Sequence, residues 1–118
     1  MKLGASYNLF DGEKLLEQSI LSIRKHVDFI SVVFQEVSNS GNPGNPDIAS
    51  FLHGLLRRGL VTHVQVFNPD LTKHPYINER NKRNIGLELS KRYDCTHHIS
   101  MGAYEFYNKE DFEIAKIE

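Results

Sequence analysis

Four short apolar segments, separated by longer mixed segments, constrain the fold of this chain more than any other feature. The second is nearly continuous in Val, Ile and Phe, which is typical of a parallel strand covered on both faces. The longer segments between them carry apolar residues at helical spacing. The alternation therefore predicts strands joined by helices, with the strands at residues 3–10, 27–34, 61–67 and 96–101.

Polar capping residues mark the first two predicted helices. Asp11 is the predicted N-cap of a helix that runs to about His26. Asp47 opens a second helix, the most amphipathic in the chain, and Gly59 ends it. The stretch 38–46, rich in Asn, Gly, Pro and Ser, lies just after a predicted strand. It is either a ligand-facing loop or a plain solvated connection.

The second half of the chain continues the pattern. Asn78 or Asn81 is predicted to cap a third helix, which leads into the fourth strand. Asn108, with Asp111 three residues later, resembles a capping box. A short terminal helix is therefore expected there, with Ala115 turned inward.

The predicted order, β-α-β-α-β-α-β-α, defines the fold class. Strands joined by helices require crossover connections, which are right-handed, and these produce a mostly parallel sheet. We expect an α/β fold of Rossmann-like type, with a four-stranded sheet and helices on both faces. The 118 residues suffice for one core, so residues 1–118 are expected to form a single domain.

The charge balance argues against nucleic acid as a partner. The formal net charge is −1, so no overall field attracts the chain to a polyanion. Acidic residues such as Glu79 and Glu88 are interspersed among the basic ones, which favours a solvated helix face. The basic cluster itself comprises Arg80, Lys82, Arg83, Lys91 and Arg92.

Cysteine content and hydropathy favour a cytoplasmic protein. The lone Cys95 allows no internal disulfide, and a buried inert thiol is the favoured interpretation. No apolar run approaches the roughly 20 residues that a membrane-spanning helix needs, and the amino terminus lacks a secretory signal. No association with a membrane is expected.

Familiar catalytic and metal-binding patterns are missing from the sequence. No two of the six histidines have zinc-ligand spacing, and His97 and His98 are predicted to point to opposite faces of a strand. No glycine-rich phosphate loop follows the first strand. Neither a bound metal nor a cofactor is expected.

Polar residues at the carboxyl ends of the strands are the candidate binding residues. Ser6, Asn8, Gln35 and Glu36 are expected to share one edge of a parallel sheet, where ligands commonly bind. Arg83 and its neighbour Asn84, near a helix start, could donate to an anion. The alternative, that Arg83 only faces solvent, carries equal weight.

Three segments of the sequence resemble those of a known protein family. Residues 5–8 (Ala-Ser-Tyr-Asn), the helix and the strand that follow look like the opening of a GT-A-fold glycosyltransferase of the family 2 kind. Residues 82–86 (Lys-Arg-Asn-Ile-Gly) look like its Ala-Arg-Asn-x-Gly segment. Residues 96–107 are similar to the strand that ends in Asp-x-Asp-Glu-Phe-Tyr in bacterial and viral sugar transferases. The resemblance extends over essentially the whole chain.

The resemblance implies a nucleotide-sugar site. Ser6 and Asn8 would lie near the base or ribose, as would Gln35 or Glu36. The Arg83-Asn84 pair, within residues 82–86, would lie near the base or the diphosphate. In the family, the Asp-x-Asp pair holds a divalent cation against the diphosphate.

The chain departs from the family pattern in two ways. Gly102 and Tyr104 stand where the two aspartates belong, and neither replaces a carboxylate ligand, although Glu105 remains. The chain also ends soon after this strand, so no acceptor-sugar site and no catalytic base can be assigned. It is interpreted as a truncated, nucleotide-binding half of the family fold.

Two functions follow from the resemblance. The first is a degenerate glycosyltransferase-like domain that is not catalytic alone. It would bind another macromolecule, as an inhibitor or adaptor, for example one of viral or mobile-element origin, or bind a nucleotide weakly. The alternative is an active glycosyltransferase, either metal-independent or completed by another chain; only in this case would Mn²⁺ or Mg²⁺ be needed. An unpaired strand edge makes a homodimer an expectation under both.

Overall fold

The computed structural model describes residues 1–102 and 114–117, which form three helices and five strands. In chain order these are β1 (Leu3–Leu9), α1 (Glu13–Ile23), β2 (Phe29–Phe34), α2 (Ile48–Arg57), β3 (His63–Val66), α3 (Pro75–Arg92), β4 (His97–Met101) and β5 (Ala115–Lys116).

The strands form one sheet in the order β3-β2-β1-β4-β5. β1 pairs in parallel with β2 and β4, β2 pairs in parallel with β3, and β5 is antiparallel to β4. The predicted α/β class with a mostly parallel sheet is confirmed. The two-residue β5 adds a fifth strand to the four predicted. It contains Ala115, which is exposed instead of packed inward on a helix; Asn108 and Asp111 lie outside the described residues.

Helices cover both faces of the sheet, as predicted. α1 and α2 pack on one face, where the main core includes Tyr7, Leu16, Ile20, Val32, Leu52 and Ile99. α3 packs on the opposite face, against a smaller apolar cluster of Phe29, Val33, Leu89 and Cys95. Cys95 is buried, and burial raises the pKa of its thiol, which agrees with an inert cysteine.

α3 approaches β1 closely because small residues face each other at the contact. A methyl group on Gly86 would lie 2.1 Å from Ser6 Oγ, and one on Gly4 would lie 2.3 Å from Ser90 Oγ. Both distances are far below van der Waals contact, so neither glycine can carry a side chain without movement of the helix or its partner.

Two helices begin at residues other than the predicted ones. Gly12, with φ of 82°, is the N-cap of α1, so the prediction of Asp11 is wrong. α3 begins at Pro75, where proline's fixed φ and missing N–H suit the first turn, and His74 Nδ1 accepts the Tyr76 N–H. Asn78 caps nothing, because its buried amide bonds both backbone groups of Asp70.

The earlier start of α3 changes the setting of Arg83 and Asn84. Both lie in the middle of the Pro75–Arg92 helix, so they are not near a helix start. The charge at a helix terminus acts over the first turn only. The helix dipole therefore does not assist anion binding at these two residues.

None of the helices in the described ranges combines the length and the hydrophobicity needed to cross a lipid bilayer.

Candidate functional site

The strand order reverses between β1 and β4. From β1 the chain proceeds outward to β2 and β3, and α3 then carries it back to place β4 on the other side of β1. In open α/β sheets, ligands bind outside the carboxyl ends of the strands at such a reversal. A cleft of about 370 Å³ lies at this position; we call it the switch-point cleft, lined by Asn8, Glu79, Arg83, Ser100, Met101 and Gly102.

The floor of the cleft contains an amide with unused hydrogen-bonding capacity. Asn8 Nδ2 donates to Ser100 Oγ at 3.1 Å, which joins the ends of β1 and β4. Asn8 Oδ1 is buried and accepts no hydrogen bond from any described residue. A buried acceptor without a partner costs roughly 1–3 kcal/mol.

The wall of the cleft carries opposite charges on successive turns of α3. Arg83 is exposed, and in the described ranges no carboxylate oxygen lies within 4 Å of its guanidinium. Glu79 is half-buried, and its Oε1 accepts from Asn39 Nδ2 at 3.0 Å. The cleft therefore offers a cation that is free to bind an anion and a carboxylate that is already held in place.

Behind this wall lies a buried lysine. Lys82 is 2% exposed, and its Nζ donates to the Leu9 carbonyl oxygen at 3.0 Å and to Gln35 Oε1 at 2.7 Å. Burial lowers the pKa of Lys82 to about 8, while the negative charge of Glu79 acts in the opposite direction. Lys82 thus ties the carboxyl ends of β1 and β2 to α3 from inside the protein.

The loop after β2 continues this network. Gln35 Nε2 donates to the Val37 carbonyl and to Asn39 Oδ1, both at 3.0 Å. Ser38 Oγ accepts from the backbone N–H groups of Ser40 and Asn42, which shapes the turn that follows. These hydrogen bonds connect the start of this stretch to the carboxyl end of β2.

Of the six binding residues predicted from the sequence, the structure places two in the lining of the switch-point cleft. Asn8 and Arg83 line the switch-point cleft together. Ser6 is 1% exposed and lies beneath Gly86, and Gln35 is buried against Lys82. The remaining two, Glu36 and Asn84, are exposed outside this cleft, and Asn84 lines a separate groove.

That groove lies between α3 and the edge strand β3. Its volume is about 430 Å³, larger than that of the switch-point cleft. None of its lining residues is the last residue of a strand. None of them belongs to the hydrogen-bonded network of Lys82, Gln35 and Asn39. The lining residues are Gln65, Asn81, Asn84, Ile85, Glu88, Leu89 and Arg92.

Gly102 is the first of the two positions at which the resemblance implies a metal-binding aspartate. Gly102 lines the switch-point cleft with no side chain, whereas Tyr104 and Glu105 lie outside the described residues. Within the part of the chain that the structure describes, no three His, Cys, Asp or Glu side chains are grouped so that they could hold a metal ion.

Several residues of the site were not predicted as such. Ser100 and Glu79 line the cleft, and Asn39 and Lys82 hold its wall. One signal was available: Lys82, Gly86 and Ser90 recur every four residues, which places a lysine on the same helix face as two small residues.

No protein-family model, no curated protein and no solved structure matches this chain.

Proposed function

We propose that this chain is a degenerate glycosyltransferase-like domain that binds a nucleotide or nucleotide sugar in the switch-point cleft and does not transfer sugar alone. The observation that carries the proposal is a polar cleft at the reversal of strand order, lined by an arginine that no carboxylate of the described residues pairs with. Sites at this position in α/β sheets commonly take phosphorylated ligands.

The groups in the cleft match the chemistry of such a ligand. The Arg83 guanidinium can form two parallel hydrogen bonds to diphosphate oxygens. Asn8 and Ser100, which are hydrogen-bonded to each other, supply further polar groups in the lining of the cleft. Gly102 supplies no carboxylate where the resemblance places a metal ligand, and the proposed binding rests on these side chains.

A thermal-melting titration tests the proposal. The protein is titrated with ADP, CDP, GDP, UDP and UDP-glucose, each with and without Mn²⁺. We expect at least one nucleotide to raise the melting temperature without Mn²⁺, since ligand at 100 times its Kd adds about 2.7 kcal/mol of stability. A shift that needs Mn²⁺ would support the active-enzyme alternative instead.

Two arginine variants localise the binding. Arg83→Gln should weaken nucleotide binding about tenfold, which is the usual effect of losing a hydrogen bond to a charged group. Arg92→Gln is the matched control, because Arg92 lies on the same helix but lines the α3/β3 groove. No shift with any nucleotide, or equal losses in the two variants, would contradict nucleotide binding at this cleft.

Binding of another macromolecule is the second candidate function. The observation that favours it is β3, which pairs with β2 on one side and, among the described residues, with no strand on the other. An open strand edge is a template for pairing with a second chain. This candidate would gain support if no nucleotide changed the melting temperature.

A further inference from the structure

Two charged residues are connected by two amides with fixed orientations. Lys82 can only donate, so Gln35 must turn its Oε1 toward Lys82 and its Nε2 toward Asn39. Asn39 Oδ1 accepts from that Nε2, which leaves Asn39 Nδ2 to donate to Glu79 Oε1. Each link therefore determines the next, from the buried ammonium group to the carboxylate at the cleft.

This network holds the Glu79 carboxylate at the cleft, where its negative charge disfavours the binding of an anion. Glu79 lines the switch-point cleft together with Arg83, and one of its oxygens is held by Asn39. A carboxylate beside an anionic ligand repels it. The repulsion is offset only if the ligand also donates a hydrogen bond, since a hydrogen bond to a charged acceptor is among the strong ones.

We infer that Glu79 is a specificity-determining residue of the cleft, held by Asn39, which selects anions that carry a sugar hydroxyl over anions that carry none. The inference rests on the proposed function and names the feature of the ligand that the cleft distinguishes. The Arg83 guanidinium binds the phosphate, and Glu79 accepts from the hydroxyl of the same molecule.

Two kinds of ligand separate the contribution of the phosphates from that of the sugar hydroxyl. They are inorganic pyrophosphate and the ribonucleoside diphosphates ADP, CDP, GDP and UDP. Pyrophosphate has the charge of the diphosphate but no sugar. Glu79→Gln removes the negative charge and weakens the acceptor while it keeps the shape of the side chain. We expect it to weaken binding of the preferred nucleotide and to strengthen binding of pyrophosphate, so that the ratio of their affinities falls about tenfold. Titration calorimetry measures both affinities.

Two further variants serve as a control and as a test of positioning. Glu88→Gln is the matched control, because Glu88 lies on the same helix and lines the other groove; it should leave the ratio unchanged. Asn39→Ala should lower the ratio in the same direction as Glu79→Gln, through loss of the hydrogen bond that holds the carboxylate. A general loss of stability would lower both affinities and leave their ratio unaltered.

The outcomes distinguish this inference from the proposed function. If nucleotides bind and depend on Arg83, but Glu79→Gln leaves the ratio unchanged or raises it, the role of Glu79 is refuted and nucleotide binding stands. If the wild-type protein binds no nucleotide, the proposed function fails, and the inference fails with it.

Discussion

At the scale of single residues, the placement of Lys82 is the most unusual feature of the molecule. A lysine is rarely buried without a carboxylate partner, and among the described residues Lys82 bonds a backbone carbonyl and an amide oxygen but no carboxylate. Both are neutral acceptors, so they accept hydrogen bonds from the ammonium group without cancelling its charge. Burial accordingly lowers the pKa of Lys82 from its ordinary 10.5 to about 8.

The lowered pKa makes stability depend on pH in one direction. Between pH 8 and 10.5 the unfolded chain holds a proton on Lys82 that the folded chain has released, so stability rises with pH in that range. We expect the free energy of unfolding of the wild type, relative to Lys82→Met, to increase by about 2 kcal/mol between pH 7 and pH 10. Urea unfolding at a series of pH values measures it.

Lys25→Met is the control for this experiment, because Lys25 is exposed on the surface. The difference in free energy of unfolding between Lys25→Met and the wild type should change little between pH 7 and pH 10. A difference between wild type and Lys82→Met that stays constant with pH would show that the ammonium group of Lys82 is not buried in the folded state.

Residue-level features of the site were predictable where they follow from position in a strand. Asn8 was selected because it ends a predicted strand, and it lines the cleft. Arg83 was selected as lying near a helix start, and it lines the cleft although it lies in the middle of α3. Lys82 was assigned to a basic surface cluster because composition does not report burial. Ser6 was predicted at a strand end, but it lies in the middle of β1 (Leu3–Leu9), where Gly86 covers it. This contact depends on the register between a helix and a sheet, which no local pattern encodes.

At the scale of elements, the contact of α3 with β1 sets the position of the cleft wall. Gly86 lies against Ser6, one helical turn after Lys82 and close to Arg83. Any side chain at Gly86 would push α3 away from β1. The separation between Arg83 on the helix and Asn8 on the strand would then change as well.

A pair of glycine substitutions tests this contact. Gly86→Ala should destabilise the protein by about 1–3 kcal/mol, because the added methyl group would overlap Ser6. Gly54→Ala, within α2, should stabilise it by up to about 1 kcal/mol, since no atom lies within 4 Å of the new methyl group and alanine favours a helix. Thermal unfolding compares the two. Equal effects would mean that α3 and β1 are not in close contact.

The type of each element was predictable because hydrophobic residues recur with a different period in strands and in helices. Every strand from β1 to β4 overlaps a predicted strand, and α1, α2 and α3 overlap predicted helices. The helix starts were less predictable, since Gly12 and His74 compete with nearby Asp and Asn residues that have stronger capping preferences. β5, at two residues, is too short to show a period.

At the scale of the whole molecule, strand order decides where a ligand can bind. The alternating pattern predicts parallel strands but does not state which strands are neighbours. The order β3-β2-β1-β4-β5 emerges only from packing, and it places the reversal between β1 and β4. The same order leaves β3 at one edge, paired on a single side among the described residues.

This edge is where we expect the predicted homodimer to form. β3 is short and contains no charged residue or proline that would discourage pairing with a second chain, its residues being His63, Val64, Gln65 and Val66. Gln65 is near the middle of this strand and also lines the adjoining groove with α3. Light scattering after size exclusion, across a concentration series, should give twice the mass of one chain for the wild type.

A matched pair of substitutions assigns the dimer to this edge. Gln65→Lys should yield a monomer, because a lysine on an edge strand opposes pairing with a second chain. Gln18→Lys, an equal change in charge at an exposed position on α1, should leave the dimer intact. A monomeric wild type at every concentration would exclude the homodimer. A dimer that survives Gln65→Lys would place its interface away from β3.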